Sequence, residues 1–554
     1  MAKKQPDFRS MSFYQIWIRS FCDGNGDGIG DLQGVLGKLD YLKDLGIDAI
    51  WFSPLYPSPN ADYGYDIADY RNISADYGTL ELFREVVDEA HKRGIRIIMD
   101  LVVNHTSDEH EWFQKSKDKD SPYHDYYFWR KGKNGKKPNN WKSVFEGDAW
   151  EYDPQLDEYY LHIFAKKQVD LNMDNPAVRE EVKNIMRFWL DMGVDGFRED
   201  VITYISKREG LPNGAPLPVG TGLEHYTNGP HLHEYLAEFR HDVLDHYDCF
   251  TVGEAPMMTP KLARSFIAEN DEQVLDLMFH FQHMEADCLM TDWIHTPFSL
   301  RKLKKAFSTW QKEMYGDAWN ALYIENHDHP RAIDRFGSRK YHKASAKMLA
   351  AMYICQSGTP FIYQGQEIGM TNFPFTSMDQ FKDVVTFNNE KVFRKIGVKD
   401  ERFIKLAGKC SRENARTPVQ WDDSANAGFT TGTPWFPVNE NYHEINVAEQ
   451  QADPDSVLNF YKKLLRFRKE NEIVIYGDYT EYYADSSKLF VYARSYEGRR
   501  MLVVCSFTEK PVRFTAPEGF DLTKAELALQ NYPVPYKSNV FMTKPYEARV
   551  YMLD

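Results

Sequence analysis

The chain has no apolar run approaching the roughly 20 residues that a membrane-crossing helix needs, and no repeated or low-complexity tract. Its six cysteines, at positions 22, 249, 288, 355, 410 and 505, are scattered and form no Cys-x-x-Cys pair. That excludes a disulfide-dense scaffold and suits free, mostly buried thiols in a reducing compartment. Positive charge is in deficit: 67 Lys and Arg face 82 Asp and Glu, a formal net charge of −15. Such a surface repels phosphate backbones, so neither nucleic acid nor an anionic membrane is expected as a partner. The opening MAKKQPDFRS has two lysines but no apolar stretch after them, so it is not expected to be a secretory signal, and the expected location is the cytoplasm. Oligomeric state leaves no trace in the sequence.

What is present is a rhythm. Short apolar runs alternate with amphipathic stretches through most of the first 470 positions. Eight runs read as strands: Phe13–Phe21, Ala49–Leu55, Ile95–Val103, Val194–Ile202, Cys249–Gly253, Val274–Phe279, Ala321–Ile324 and Pro360–Tyr363. Helical patterns separate most of them: Leu32–Leu45, Leu80–Arg93, Pro176–Met192, His231–Tyr247, Leu300–Met314 and Lys343–Gln356. In the last, Ala344, Lys347, Met348, Ala351 and Tyr353 form an apolar stripe. Eight such units predict an α/β fold, a (β/α)8 barrel. The Trp-, Tyr- and Lys-rich interval after the third strand is too long for a plain loop and reads as an inserted subdomain at 105–172. The barrel then occupies 1–104 and 173–471, with a long, partly helical loop at about 365–435. From 472 to 554, short β-rich runs separated by turns predict a C-terminal antiparallel β-sandwich.

In such a barrel the carboxyl ends of the strands form the active-site face. The third run ends IIMDLVVNH, with Asp100 and His105; the fourth ends GFREDVI, with Arg198 and Asp200 on one face. The fifth ends VGEAP, with Glu254, and the seventh YIENHDHPR, with His327 and Asp328. A single acid at a strand end is commonly a helix cap. Several gathered in one mouth repel one another, a liability unless the chemistry uses them. Glycoside hydrolysis does: one carboxylate attacks the anomeric carbon and a second protonates the leaving oxygen. Metal binding by these acids is the rival, but no His-Glu-x-x-His cluster supports it.

The segments DLVVNH, GFREDVI, VGEAP and ENHDHPR, in that order, with QVDLN (168–172) and SRENARTPVQW (411–421), resemble the α-amylase family of glycoside hydrolases, in particular its oligo-1,6-glucosidase and α-glucosidase branch. The resemblance spans essentially the whole chain. It implies Asp200 as nucleophile, Glu254 as acid/base and Asp328 as the third acid, which stabilises the transition state. It further implies that Arg198 positions Asp200, that His105 and His327 bond the sugar being cleaved, and that Asp100 is structural. Tyr65 would stack on that sugar, and Asp62 would pair with Arg416 to close the pocket behind one glucose, making the enzyme exo-acting on small oligosaccharides. Val201 is the branch's usual marker for α-1,6 bonds.

The resemblance also implies a calcium or magnesium ion at Asp23–Asp31, DGNGDGIGD. This loop matches the first nine positions of an EF-hand loop, offering Asp23, Asn25, Asp27, the Ile29 carbonyl and Asp31. The twelfth position is Gly34 rather than Glu, so the ion is expected to be structural. Glu199, Glu325, His329 and the Met257–Met258 pair depart from the branch's usual residues, and all are expected near the acceptor side. The run AIDRFGSRK (332–340) lacks the R-x-D-R-D pattern of sucrose isomerases, which favours hydrolysis. Maltose- or sucrose-type glucosidases, trehalose-6-phosphate hydrolase and a non-catalytic glycan-binding relative stand as the alternatives.

Overall fold

The computed structural model describes residues 7–554 except 218, 290 and 535; most of the amino-terminal segment discussed above therefore lies outside the described residues. Eight parallel strands form the barrel, in chain order Phe13–Ile16, Ala49–Phe52, Arg96–Leu101, Gly196–Glu199, Phe250–Glu254, Leu277–Phe279, Ala321–Leu322 and Thr359–Tyr363. They are laid side by side in the order six, five, four, three, two, one, eight, seven. The sixth and seventh strands meet at the seam, where the Phe279 and Tyr323 rings sit 5.4 Å apart. All eight expected strands are present; most are shorter than their apolar runs, while the fifth matches its run in length and the eighth begins one residue earlier, at Thr359.

Aromatic side chains fill the barrel. Phe13 lies 4.9 Å from Phe250 and 4.6 Å from Phe361, which in turn lies 4.6 Å from Phe279. This packed floor excludes water beneath the acids at the strand ends. The helices behind carry proper caps: Thr79 for Leu80–Lys92, Asn175 with Pro176 at the first turn for Pro176–Asp191. One helix departs from expectation. His342–Ile354 shows no single stripe, since all of Ala344–Ile354 is buried. It is sandwiched between the helix Val457–Glu470 and the C-terminal strands Arg499–Ser506 and Ala548–Leu553.

Those strands belong to a five-stranded antiparallel sheet in the order Thr480–Tyr482, Leu489–Tyr496, Arg499–Ser506, Ala548–Leu553, Glu526–Gln530. Both its faces are buried, so Leu489–Ala493 reads as a continuous apolar run. Phe490 and Tyr492 face the barrel's core, while Leu489, Val491 and Ala493 face a second core with Phe514 and Phe541 of a two-stranded sheet. The strands Glu526–Gln530 and Val540–Met542 are additions to those read from sequence. The stretch 365–435 holds more helix than expected, chiefly Val384–Lys395 and Asp400–Cys410.

After the third barrel strand, His105–Ser107 pairs antiparallel with Gln168–Asp170, pinching the interval between them at its neck. Beyond it, a three-stranded sheet forms around Glu158–Leu161. Trp141, Trp150, Ile163 and Phe164 pack there against Val201, Tyr204 and Tyr226, so the interval rests on the loop that follows the fourth strand. A buried ion pair pins the neck: Lys207 Nζ lies 2.8 Å from Asp170 Oδ1, both side chains fully inaccessible, and also donates to Asn104 Oδ1 at 2.8 Å. Removing one partner of such a pair strands a charge. Lys207→Met is expected to cost roughly 3–5 kcal/mol in denaturant unfolding, far more than an exposed Lys→Met change.

Candidate active site

The fourth strand carries Arg198 into the barrel mouth, and the site assembles around it. Its Nη1 donates to Asp100 Oδ1 at 2.7 Å and Oδ2 at 2.8 Å, and to Asp200 Oδ1 at 2.7 Å. Its Nη2 donates to Glu254 Oε2. One guanidinium therefore spans three carboxylates from strands three, four and five, all buried. The Trp51 ring lies beneath it, 5.0 Å from the guanidinium carbon. Glu254 Oε2 also accepts from the Val201 amide at 3.2 Å.

Asp100 has no freedom: Trp51 Nε1 at 3.2 Å and Tyr65 OH at 3.0 Å donate to the same Oδ2 that Arg198 holds. Burial pushes its carboxyl up to about 6, against the pull of Arg198. Burial likewise raises Asp200 well above the usual range; Arg198 opposes this, while Glu254 and Asp100 add repulsion. Asp328 goes the other way. Burial would raise it, but His327, Arg412 and Arg416 together hold it well below the usual carboxylate range.

Both histidines expected to touch sugar are here occupied by protein. His327 Nδ1 meets Gln15 Nε2 at 2.7 Å, and its Nε2 faces Tyr65 OH at 2.7 Å and Asp328 Oδ2 at 3.0 Å. His105 Nε2 lies 3.1 Å from both the Tyr65 carbonyl and Gln168 Nε2. Burial lowers each imidazole to about 4, so both are neutral at pH 7. Tyr65 stacks on His327, ring centroids 5.3 Å apart and planes within 6°.

Asp62 does not pair with Arg416. Its Oδ1 accepts from Arg412 Nη2 at 2.5 Å and its Oδ2 from Gln168 Nε2 at 3.0 Å. Arg416 instead reaches Asp328 Oδ1 at 3.0 Å and the His327 carbonyl at 3.1 Å. The two arginines flank a single 3-10 turn, Arg412–Ala415, and both are held by the fully buried Asp383: Arg412 Nε at 2.7 Å and Arg416 Nη1 at 2.9 Å. The earlier arginine faces Asp62 and the Phe145 ring, 5.2 Å from its guanidinium carbon; the later one stacks over Trp17. Sequence reasoning missed Arg412 and Asp383. Asp383 caps the helix Val384–Lys395 through the Val385 amide, so in sequence it looks like an ordinary helix cap.

Val201 sits at φ 36°, ψ 41°, a left-handed conformation that a β-branched residue rarely adopts. Its side chain is 8% exposed and joins the Trp150 cluster, while its amide points at Glu254. One expectation about the acceptor side fails. Glu199 alternates with Arg198 and Asp200, so it faces the outer helices, near Asp276 and Arg240. Glu325 lines the same cavity as Glu254 and Phe281 and also braces its own loop, accepting from the Ala332 amide at 2.8 Å and Arg331 Nη1 at 3.2 Å. His329 stays at the mouth, 5.9 Å from Phe281, and Met257 is exposed on the loop after strand five.

The loop Asp23–Asp31 folds as a series of Asx turns. Asp23 accepts from the Gly26 and Gly28 amides at 2.6 and 2.7 Å, Asn25 from Asp27 at 2.8 Å, and Asp27 from Ile29 at 2.8 Å. Asp31 caps the helix Leu32–Leu36 through the Gly34 amide. Gly28 has φ +96°, and a Cβ there would meet the Thr433 carbonyl at 1.9 Å, so no other residue fits. The hard oxygen donors suit calcium or magnesium. Asp23, Asp27 and Asp31 are not, however, gathered into a trio within 4.8 Å.

Buried acids from strands three, four and five, one guanidinium among them and an aromatic floor define a glycoside-hydrolase site at the mouth of a (β/α)8 barrel. The alpha-amylase catalytic domain matches residues 15–477, and the chain belongs to that family. It is 50% identical over 98% of each chain to an oligo-1,6-glucosidase of Parageobacillus thermoglucosidasius. Among solved structures, it resembles a trehalose-6-phosphate hydrolase of Bacillus licheniformis with TM-score 0.93, at 43% identity over 99% of this chain and all of that one. A trehalulose synthase variant gives TM-score 0.95 at 42% identity, with the same coverage.

Glu199 generates a prediction of its own. Burial, with Asp276 adding repulsion against the pull of Arg240, pushes its carboxyl up to about 8. A group whose folded pKa is raised favours the folded state below its unfolded value near 4.3 and loses that contribution as pH rises through its folded pKa. Stability should therefore fall by about 1 kcal/mol per pH unit between roughly pH 5 and 8. Urea unfolding of Glu199→Gln should show this slope flattened, with activity at pH 6 retained.

Proposed function

We propose that the protein is a retaining, exo-acting α-glucosidase that releases glucose from the non-reducing end of short gluco-oligosaccharides, with α-1,6 bonds preferred. The observation that carries this reading is Arg198 holding Asp200 and Glu254 through adjacent nitrogens of one guanidinium. So close a spacing favours direct attack, with carboxyl groups about 5–5.5 Å apart, over the roughly 6.5–9.5 Å that leaves room for an inverting water.

In the proposed reaction, Asp200 attacks the anomeric carbon as the bond to the leaving oxygen breaks. Glu254 gives that oxygen its proton, leaving a covalent glucosyl ester on Asp200. Glu254 then takes a proton from water, which attacks the same carbon and frees glucose with its configuration retained. Asp328, kept ionised by His327 and two arginines, binds ring hydroxyls and favours the positive charge of the transition state. Sugar entry takes Glu254 off Arg198, because a carboxyl engaged by the guanidinium cannot also meet the leaving oxygen. Arg198 then serves Asp100 and Asp200, keeping Asp200 ionised against its burial. The wall formed by Asp62, Arg412, Asp383 and Arg416 closes the pocket behind one glucose, which accounts for exo-action. The oligo-1,6-glucosidase relative and Val201 both support the α-1,6 preference.

The loop Asp23–Asp31 is proposed to hold a structural calcium or magnesium ion through Asp23, Asn25, Asp27, the Ile29 carbonyl and Asp31. It would brace the first strand–helix turn and take no part in the chemistry. Adding Ca2+ to chelator-treated protein should raise Tm without changing kcat; an unchanged Tm would remove the ion from the proposal.

Two measurements test the main reading. Isomaltose, maltose, sucrose, isomaltulose and trehalose-6-phosphate are compared by glucose release. Isomaltose should lead, α-glucose should appear first by NMR, and a maltose rate far ahead would reject the α-1,6 preference. Asp200→Asn should lower kcat by at least about 10³-fold with the fold intact. Because Asp200 must be ionised to attack and its pKa is raised, the acid limb of kcat/KM should lie above the ordinary Asp value of about 3.9.

A further inference from the structure

Away from the catalytic acids, the hairpin Cys288–Leu289/Thr291–His295 lies over the helix Asp400–Cys410. Trp293 stacks on Phe403 between them, centroids 5.7 Å apart and planes within 4°. In the hairpin register Cys288 pairs directly with His295, so both side chains rise from the same face. Asp287, one residue before, turns its carboxylate to the same point. One donor atom from each of Asp287, Cys288 and His295 lies within 4.8 Å of the others. The facing helix ends at Cys410, whose thiol is not one of the three gathered donors.

We propose that Asp287, Cys288 and His295 form a binding site for a divalent zinc-class ion, with water as the fourth ligand. The donor set, a thiol, an imidazole and a carboxylate, is a mixture that favours zinc over calcium or magnesium. The spacing also fits. Tetrahedral bonds of about 2.0–2.3 Å imply ligand–ligand edges of about 3.3–3.8 Å. His295 Nδ1 lies 3.3 Å from Asp287 Oδ2 and 3.9 Å from Cys288 Sγ.

The outer contacts are those a metal-binding histidine and carboxylate need. His295 Nε2 bonds the Asp292 carbonyl at 2.7 Å, which places its proton there and leaves the Nδ1 lone pair facing the other donors. Arg335 Nη2 holds the second oxygen of Asp287, Oδ1, at 2.5 Å. Arg335 also lies 3.6 Å from Cys288 Sγ. Metal binding would release the Cys288 thiol proton, so that its thiolate and the Asp287 carboxylate neutralise the ion's charge.

The site's place gives it a consequence. The hairpin follows the sixth barrel strand by way of Phe281, which lies beside Glu254 in the barrel mouth. Arg335 and His329 come from the loop after the seventh strand. An ion here would fix these acceptor-side segments against one another, beside the helix Asp400–Cys410 that leads into Arg412.

The test uses the full chain, reduced and freed of metal, in excess Ca2+ so that the Asp23 loop is not the reporter. Titration with Co2+ should give one equivalent per chain with a thiolate-to-cobalt charge-transfer band, displaced stoichiometrically by Zn2+. Zinc should raise Tm and protect Cys288 from alkylation. Cys288→Ser and His295→Gln should each weaken binding by at least about 100-fold, with glucosidase kcat/KM for the longer acceptors changing more than that for an aryl glucoside. Absence of the band in the wild-type chain would overturn the proposal. So would binding that survives both substitutions. The rival arrangement, a protonated His295 simply ion-paired to Asp287, predicts no metal uptake.

Discussion

Three buried carboxylates around one guanidinium are the constraint on which the rest of the molecule is arranged. Arg198 cannot leave without stranding Asp100, Asp200 and Glu254 in a low-dielectric mouth, where an unpaired charge costs several kcal/mol. The backbone under each acid is fixed by a different barrel strand: register places Asp100 beside Arg198, and Val252, two before Glu254, on the other side. The aromatic interior serves the same end. It removes water from below and lowers the screening, so Arg198 acts on each acid more strongly than it would at a surface. Charge balance at this centre is incomplete by design of the sequence, with more acids than cations. Burial, with that residue of repulsion from Glu254 and Asp100 added, raises Asp200 against the pull of Arg198.

A second charge network closes the far wall, and it is stitched differently. Asp383 holds Arg412 and Arg416, which hand on to Asp62 and Asp328. These residues come from the second strand's loop, the seventh strand's loop and the long excursion after the eighth. No single element positions them, so the wall depends on the excursion folding back over the barrel. Its helices Val384–Lys395 and Asp400–Cys410 give that excursion its own packing, around Trp293, Phe381 and Phe403. The wall is thereby made of rigid parts rather than of loop.

Much of this was legible in the sequence, and the division has physical causes. The barrel strands were visible because burial on both faces demands continuous apolar runs, and the acids at their ends stood out against that background. Period-two alternation should also have excluded Glu199 from the mouth, since Arg198 and Asp200 on either side point inward. The choice between Arg412 and Arg416 had no such guide. They are one turn apart in a segment without periodicity, and only the 3-10 geometry decides which side chain faces Asp62. The helix His342–Ile354 was misjudged for a related reason. A stripe identifies one buried face, but the C-terminal sheet covers the other, and nothing local announces a neighbour almost two hundred residues away.

Val201 shows how far local preference yields to the site. A β-branched residue in the left-handed region costs on the order of 1–3 kcal/mol, and glycine would avoid the cost. The strain persists because two demands meet at this position. The backbone must turn so that the amide faces Glu254, and the side chain must fill the cluster formed by Trp141, Trp150 and Phe164. Glycine would satisfy the first and leave a void in the second. The interval at 105–172 therefore does more than cover the mouth: its packing holds the turn after Asp200, and through that turn it sets where the Val201 amide meets the second acid. Chemistry at the strand ends and packing of a segment sixty residues upstream are in this way a single mechanical unit.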